Sequence, residues 1–241
     1  MTRRSLAGTR VLVAGATGAL GRLATEELGA RGARLALAGR DAGRLTELAA
    51  RAGGRPARQM DAYDTEGCAA LAPWAHEQLG GLDGVLVMVG VAGFGRVGEV
   101  PETAVEHMFQ VNSLCPAAIL RPAVTQVSAG GFLAAVTGAI VAAPMLGTAD
   151  YAAAKTALSC WLGVLAREVR VRGLRVFDFQ PPHLDTGFAD HPVTGLTPDL
   201  PAGADPVAAV QAMVDRLADA GPEHDTPAPR LGRSTGVANR P

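Results

Sequence analysis

Apolar residues in this chain gather into short unbroken runs at 11–14, 34–38, 85–89, 132–136 and 174–179, with a weaker one at 56–60. Most of these runs lack the polar alternation of a half-exposed strand, so they predict strands buried on both faces. Between them, apolar positions recur at helical spacing over 19–29, 42–50, 65–79, 102–120 and 151–171, and again over 205–220 after the last run. Strand and helix in turn predict βαβ units with right-handed crossovers, hence an α/β fold built on a doubly wound parallel sheet in a single domain. That domain is expected over residues 1–220. Over 221–241, Pro, Gly and charge replace any apolar run, which predicts a poorly ordered tail with a short or absent seventh strand.

Composition narrows the partners. With 241 residues, 48% of them apolar and 19% charged, the chain can bury a sizeable core. A net charge of −1 supplies no field to draw nucleic acid or an anionic membrane, so small molecules are the expected partners. Cys68, Cys115 and Cys160 are odd in number, far apart and without CxxC spacing, which predicts neither a disulfide framework nor a metal site and fits a reducing cytoplasm. Residues 1–10 carry three arginines but no apolar stretch of the kind a secretory signal needs. Residues 122–149 hold no charge and are long enough for a membrane span, but Gly130, Gly131, Gly138, Pro144 and Gly147 interrupt them. A buried strand followed by an active-site loop is expected there instead.

Lys155 is the only lysine among 22 basic residues, and it lies four positions after Tyr151, one of two tyrosines. The chance of that spacing arising at random is about 1 per cent. Arginine cannot stand in where a compact ammonium must sit beside a phenol oxygen and still donate elsewhere. On a helix, residues i and i+4 share a face, so both side chains can enter one cleft.

The first predicted strand runs into Gly15-Ala16-Thr17-Gly18-Ala19-Leu20-Gly21, directly before the first helix. A bare GxxGxxG is expected by chance on the order of 0.5 times in a chain this rich in glycine, so its position matters more than its spacing. There the backbone N–H groups and the helix N-terminus can approach a pyrophosphate without interference from Cβ atoms, as in a Rossmann-like dinucleotide site. The second strand ends Gly39-Arg40-Asp41. A guanidinium suits a 2′-phosphate and hence NADP, whereas the neighbouring carboxylate keeps NAD open.

Together these features resemble the short-chain dehydrogenase/reductase family over residues 9–220. The resemblance implies a hydride-transferring oxidoreductase acting on a carbonyl or secondary alcohol, with NADP or NAD as cofactor. Tyr151 would be its acid or base, Lys155 would hold the nicotinamide ribose, and Asn112 would anchor a water. The cofactor would be held by Gly15, Thr17, Gly18, Ala19, Leu20, Gly21, Arg40, Asp61, Gly90, Tyr151, Lys155, Pro181 and Thr186, with Asp61 meeting the adenine and Thr186 the nicotinamide amide. The family also implies a homodimer or homotetramer and a substrate loop over 187–204; His183, just before it, and His191, within it, are candidates for substrate contact.

Three departures from the family pattern bear on activity. Val87-Met88-Val89-Gly90 replaces the usual Asn-Asn-Ala-Gly. The glycine spacing resembles that of longer, sugar-nucleotide members, although too few residues follow Thr186 for their substrate domain. The serine expected 13 positions before the tyrosine is Gly138, so either Thr137 supplies the hydroxyl or the site lacks it. A dinucleotide-binding sensor with weak or no turnover is therefore the alternative function.

Overall fold

The structure, a computed structural model, describes residues 5–219. The tail expected at 221–241 and its seventh strand lie outside the described residues. Six strands, β1 Arg10–Ala14, β2 Arg34–Gly39, β3 Ala57–Gln59, β4 Leu82–Val87, β5 Val127–Val136 and β6 Arg175–Phe179, form one parallel sheet in the order β3-β2-β1-β4-β5-β6. Among the described residues eight α-helices flank it: α1 Ala19–Ala30, α2 Ala42–Arg51, α3 Thr65–Ala69, α4 Leu71–Leu79, α5 Glu102–Phe109, α6 Cys115–Gln126, α7 Ala149–Val169 and α8 Pro206–Ala218.

Because side chains alternate across a strand, each strand serves two cores. On one face Leu12, Val85, Leu133 and Val176 pack with Leu71 of α4, Ile119 of α6 and Leu158 and Leu162 of α7. On the other, Val13, Leu37, Leu86 and Phe177 pack with Leu28 of α1, Leu45 of α2 and Val214 of α8. Asp41, Asp64 and Asp205 start α2, α3 and α8, accepting from the backbone N–H of Arg44 at 2.9 Å, Gly67 at 2.8 Å and Val207 at 2.9 Å. The neighbours of β1 are β2 and β4, so the chain reverses its direction of travel across the sheet there. A crevice opens at such a switch point, outside the carboxyl ends of the strands.

Several boundaries differ from the sequence expectation, β4 running Leu82–Val87 rather than over 85–89. β5 begins at Val127 rather than 132, because a bulge absorbs the extra residues: Val127 pairs with Leu82 and Phe132 with Gly84. Gly130 takes φ +79 in that bulge, and a Cβ on Gly131 would lie 2.4 Å from the Asp83 carbonyl oxygen. α6 continues through Pro122 to Gln126, so 122–126 is helix rather than part of a strand and loop. Only one helical N–H is lost at a proline, and Pro122 is tolerated here. The helix expected over 65–79 breaks at Ala70 into α3 and α4, and the one over 102–120 passes through a π-helical turn, Gln110–Leu114. Among the described residues no helix is long and apolar enough to cross a membrane.

Candidate active site

A cavity of about 470 Å³ runs from Gly18, Ala19 and Leu20 past Met88, Val89 and Gly90 to Tyr151, Lys155 and the loop after β6. Its first end is the glycine turn. Gly15 has φ +84, and a Cβ on it would stand 2.7 Å from the backbone carbon of Met88, so glycine is required where β1 hands over to α1. A Cβ on Gly21 would lie 2.0 Å from the Gly15 carbonyl oxygen. Gly18 caps α1 without a side-chain hydrogen bond, which leaves the N-terminal amides facing the cleft. These features fit a pyrophosphate: room at the backbone, no competing cap and the positive end of a 12-residue helix.

Gly39, at the end of β2, lies under Thr17, where a Cβ would approach within 3.0 Å of the threonine side chain. Arg40 follows it, exposed. Asp41 is occupied as the cap of α2 and as a partner of Arg44 at 3.7 Å. Asp61 stands exposed after β3 and accepts from the Tyr63 N–H at 2.9 Å.

At the other end of the cleft, Tyr151 is half-buried in the first turn of α7, with its ring edge-to-face on Phe94 at a centroid distance of 6.4 Å. Lys155, one turn further on, is 4% exposed and donates from Nζ to the Val136 carbonyl oxygen at 3.1 Å. Asn112 lies fully buried in the π-helical turn. Its amide holds the loop after β4 by both ends, accepting from Val91 N–H at 3.0 Å and donating to Val91 O at 3.0 Å. A Cβ on Gly90 would lie 2.9 Å from Lys155 Nζ and 3.1 Å from Asn112 Oδ1, so this glycine lets both groups reach one point. Pro181 and Thr186 line the far wall, and the Pro181 carbonyl oxygen accepts from the Ala139 N–H at 2.8 Å.

Thr137 and Gly138 can now be told apart. Leu133 and Ala135 face α7, and by strand parity Thr137 faces the same way. Its hydroxyl donates to Asp178 Oδ1 at 2.5 Å inside the protein, and it is 1% exposed. Gly138 has φ +95 and open space where a Cβ would be, the nearest atom being Pro181 O at 4.0 Å. No side-chain hydroxyl therefore stands at the position where the family pattern places its serine. Asp178, Ser159 and Gln180, which complete the network around Thr137, were absent from the sequence expectation. The available signal was an aspartate inside a strand otherwise expected to be buried on both faces.

Burial pushes the Tyr151 phenol up to about 12. Burial likewise pushes Lys155 down to about 8, with Asp178 drawing it back up. Loss of hydration penalises both charged forms, and Nζ bonds to Val136 O. At neutral pH the pair is thus phenol plus ammonium. Because the buried lysine binds its proton less tightly than an unfolded one, stability rises as pH increases from about 8 to 10.5. The tyrosine acts with the opposite sign, and its share of stability falls from pH 10 towards 12. The stability gap between the native chain and Lys155→Met should therefore change with pH, the native chain gaining on the variant between about pH 8 and 10.5 as its buried ammonium is lost. A gap constant in pH, measured by circular dichroism melting, would contradict a buried ammonium.

The loop over 187–204 packs down in this structure. Phe94 and Val193 N–H donate to Thr194 O and Ala92 O at 3.0 and 2.8 Å, and Leu184 forms a bridge with Ala204. Phe188, Ala189, Leu200 and Pro201 from this loop face the cleft, opposite Ile140 and Met145. His183 lines it too, whereas His191 does not. Cys68 and Cys115 meet in the core, Sγ to Sγ at 3.7 Å, and Cys160 is exposed.

Comparison with known proteins agrees with this fold. The family model for short chain dehydrogenases matches residues 9–194. An uncharacterized NAD-dependent oxidoreductase of Mycobacterium tuberculosis is 32% identical over 133 residues, which are 54% of this chain and 48% of that protein. The chain thus spans about half the length of that relative. Among solved structures, a short-chain oxidoreductase from Thermus thermophilus is 32% identical with a TM-score of 0.74, over 87% of this chain and 96% of that one. A dehydrogenase from Burkholderia cenocepacia with bound NADP is 25% identical with a TM-score of 0.73, over 78% and 74% of the two chains.

Proposed function

The chain belongs to the short-chain dehydrogenase family, and from that premise we propose that it is an NADP-dependent reductase of apolar carbonyl compounds, with Tyr151 as its acid. The observation that carries this is the single cleft joining the uncapped start of α1 to Tyr151 and Lys155. The cofactor, when bound, supplies hydride to the carbonyl carbon. The chain's own part is to hold and protonate. Tyr151 donates its phenolic proton to the oxygen as negative charge develops there, and the Lys155 ammonium stabilises the phenolate left behind. A neutral phenol is the form that can donate a proton, which suits the reductive direction. Asn112 keeps the Val91 backbone in place at the edge of the site.

Substrate class follows from the walls. Phe94, Ile140, Met145, Phe188 and Leu200 are apolar, and among the described residues His183 is the only ionisable lining side chain besides Tyr151 and Lys155. A substrate carboxylate or phosphate would lose its hydration against those walls, with Lys155 already engaged to the Val136 carbonyl oxygen and no arginine among the described lining residues. An uncharged ketone or aldehyde with an apolar body fits.

Arg40 supports NADP over NAD, because the competing Asp41 carboxylate is engaged with Arg44 and the start of α2. Titration should show tighter binding of NADPH than NADH, and Arg40→Ala should remove most of the difference, roughly 1 to 3 kcal/mol for a charge-assisted contact. Equal affinities in the native protein would end the NADP assignment. Assembly as a homodimer or homotetramer in the cytoplasm belongs to the same proposal. Leu114, ending the π-helical turn, and Val164 on α7 are exposed apolar side chains that such an interface would cover, and a chain that sediments as a monomer at high concentration would rule the assembly out.

The absence of a hydroxyl at Gly138 favours a second function, that of a dinucleotide-binding sensor with weak turnover. NADPH binding without consumption of any carbonyl would distinguish it.

A further inference from the structure

Asp178 is a carboxylate inside the sheet. It lies on β6 at 5% exposure, two residues after Val176, so it faces α7 as Val176 does. Three neutral donors converge on it: Thr137 Oγ1 at 2.5 Å to Oδ1, Ser159 Oγ at 2.5 Å to Oδ2, and Gln180 Nε2 at 2.8 Å to Oδ2. An ionised carboxylate only accepts, and all three neighbours donate, so the network solvates a charge and does not cancel it. The opposite charge stands close by: Ser159 is one helical turn beyond Lys155 on α7, and Val136, whose carbonyl oxygen takes the Lys155 Nζ–H, directly precedes Thr137.

We propose that Asp178 is the buried counter-charge of Lys155, a positioning residue that keeps the ammonium protonated and in place beneath the cleft. A hydrated lysine carries its charge without help, but one as buried as Lys155 needs a compensating anion within the protein. Of the other ionisable groups around it, Tyr151 on α7 and His183 across the cleft, neither is an anion at neutral pH, and the π-helical turn on its other side presents the neutral Asn112 and Ser113. The direction of the lysine's titration agrees, since Asp178 is the group that raises it against burial. The inference concerns the free protein and stands whichever substrate the site takes; its use in catalysis rests on the function proposed above.

The chain offers a direct test, because its single lysine gives a single signal. With [¹³Cε]lysine incorporated, NMR follows Lys155 alone through a pH titration of the cofactor-free protein. In Asp178→Asn, which keeps the shape and most of the hydrogen-bonding capacity, the Lys155 pKa should fall by at least about one unit, as expected for loss of an opposite charge nearby. A merely structural Asp178 would leave the midpoint where it is, and an unchanged midpoint in the folded variant overturns the proposal. Should Asp178→Asn fail to fold, the triple variant Asp178→Val, Thr137→Val, Ser159→Ala removes the charge together with two of its donors. It is judged by the same result: a lower lysine midpoint supports the counter-charge, and an unchanged one refutes it.

Discussion

Tyr151→Phe should cut carbonyl turnover by at least about 100-fold while NADPH affinity stays nearly unchanged. The substitution removes one oxygen and keeps the ring that packs edge-on against Phe94, so the cleft wall survives. What disappears is the proton donor, and general acid catalysis is worth roughly 100-fold or more. Lys155→Ala should damage both quantities, because it empties the space beside Gly90 and Asn112 as well as removing the charge that stabilises a phenolate. The contrast separates chemistry from binding. Turnover that survives Tyr151→Phe would mean that another group delivers the proton.

The second large effect concerns the hydroxyl that the family pattern expects and this chain lacks. Thr137 is committed to Asp178, so Thr137→Val should show as instability, about 1.5 to 3 kcal/mol for a hydrogen bond lost from a buried charge, with turnover per folded molecule little changed. Gly138→Ser should do the reverse. There is room for the side chain, and a donor at that position can raise turnover by up to about 100-fold, the value of one oxyanion-type contact. It comes with backbone strain of about 1 to 2 kcal/mol, because Gly138 sits at φ +95, and the melting temperature should drop accordingly. A Thr137→Val variant that melts like the native protein yet turns over 100-fold more slowly would put the threonine hydroxyl on the substrate after all.

The elements were legible wherever one face or both faces of the chain had to be buried. All six strands and the helices around the sheet appear close to where apolar runs and helical spacing put them. The misses have local causes. The bulge residues 128–131 break the apolar run that marks β5, and Pro122 looks like a stop although α6 passes through it. Within the site, Tyr151 and Lys155 stood out because lysine occurs once in the chain. The direction of Thr137 could not be read the same way, because it depends on which face of β5 the residue occupies when the strand ends beside Phe179. Asp178 was hidden in a run whose average is apolar. The shifts of Tyr151 and Lys155 could not be read from spacing, because desolvation depends on what the rest of the chain packs around the pair.

The central claim is that this cleft reduces apolar carbonyls with NADPH through Tyr151. It is tested most directly by following nicotinamide absorbance at neutral pH while native protein meets uncharged ketones and aldehydes, each beside an analogue of similar size bearing a carboxylate. NADPH consumption with the uncharged members, weaker with their charged analogues and lost in Tyr151→Phe, is the predicted result. Tight NADPH binding with no consumption across the uncharged members would contradict it and leave a protein that binds the dinucleotide without reducing a carbonyl.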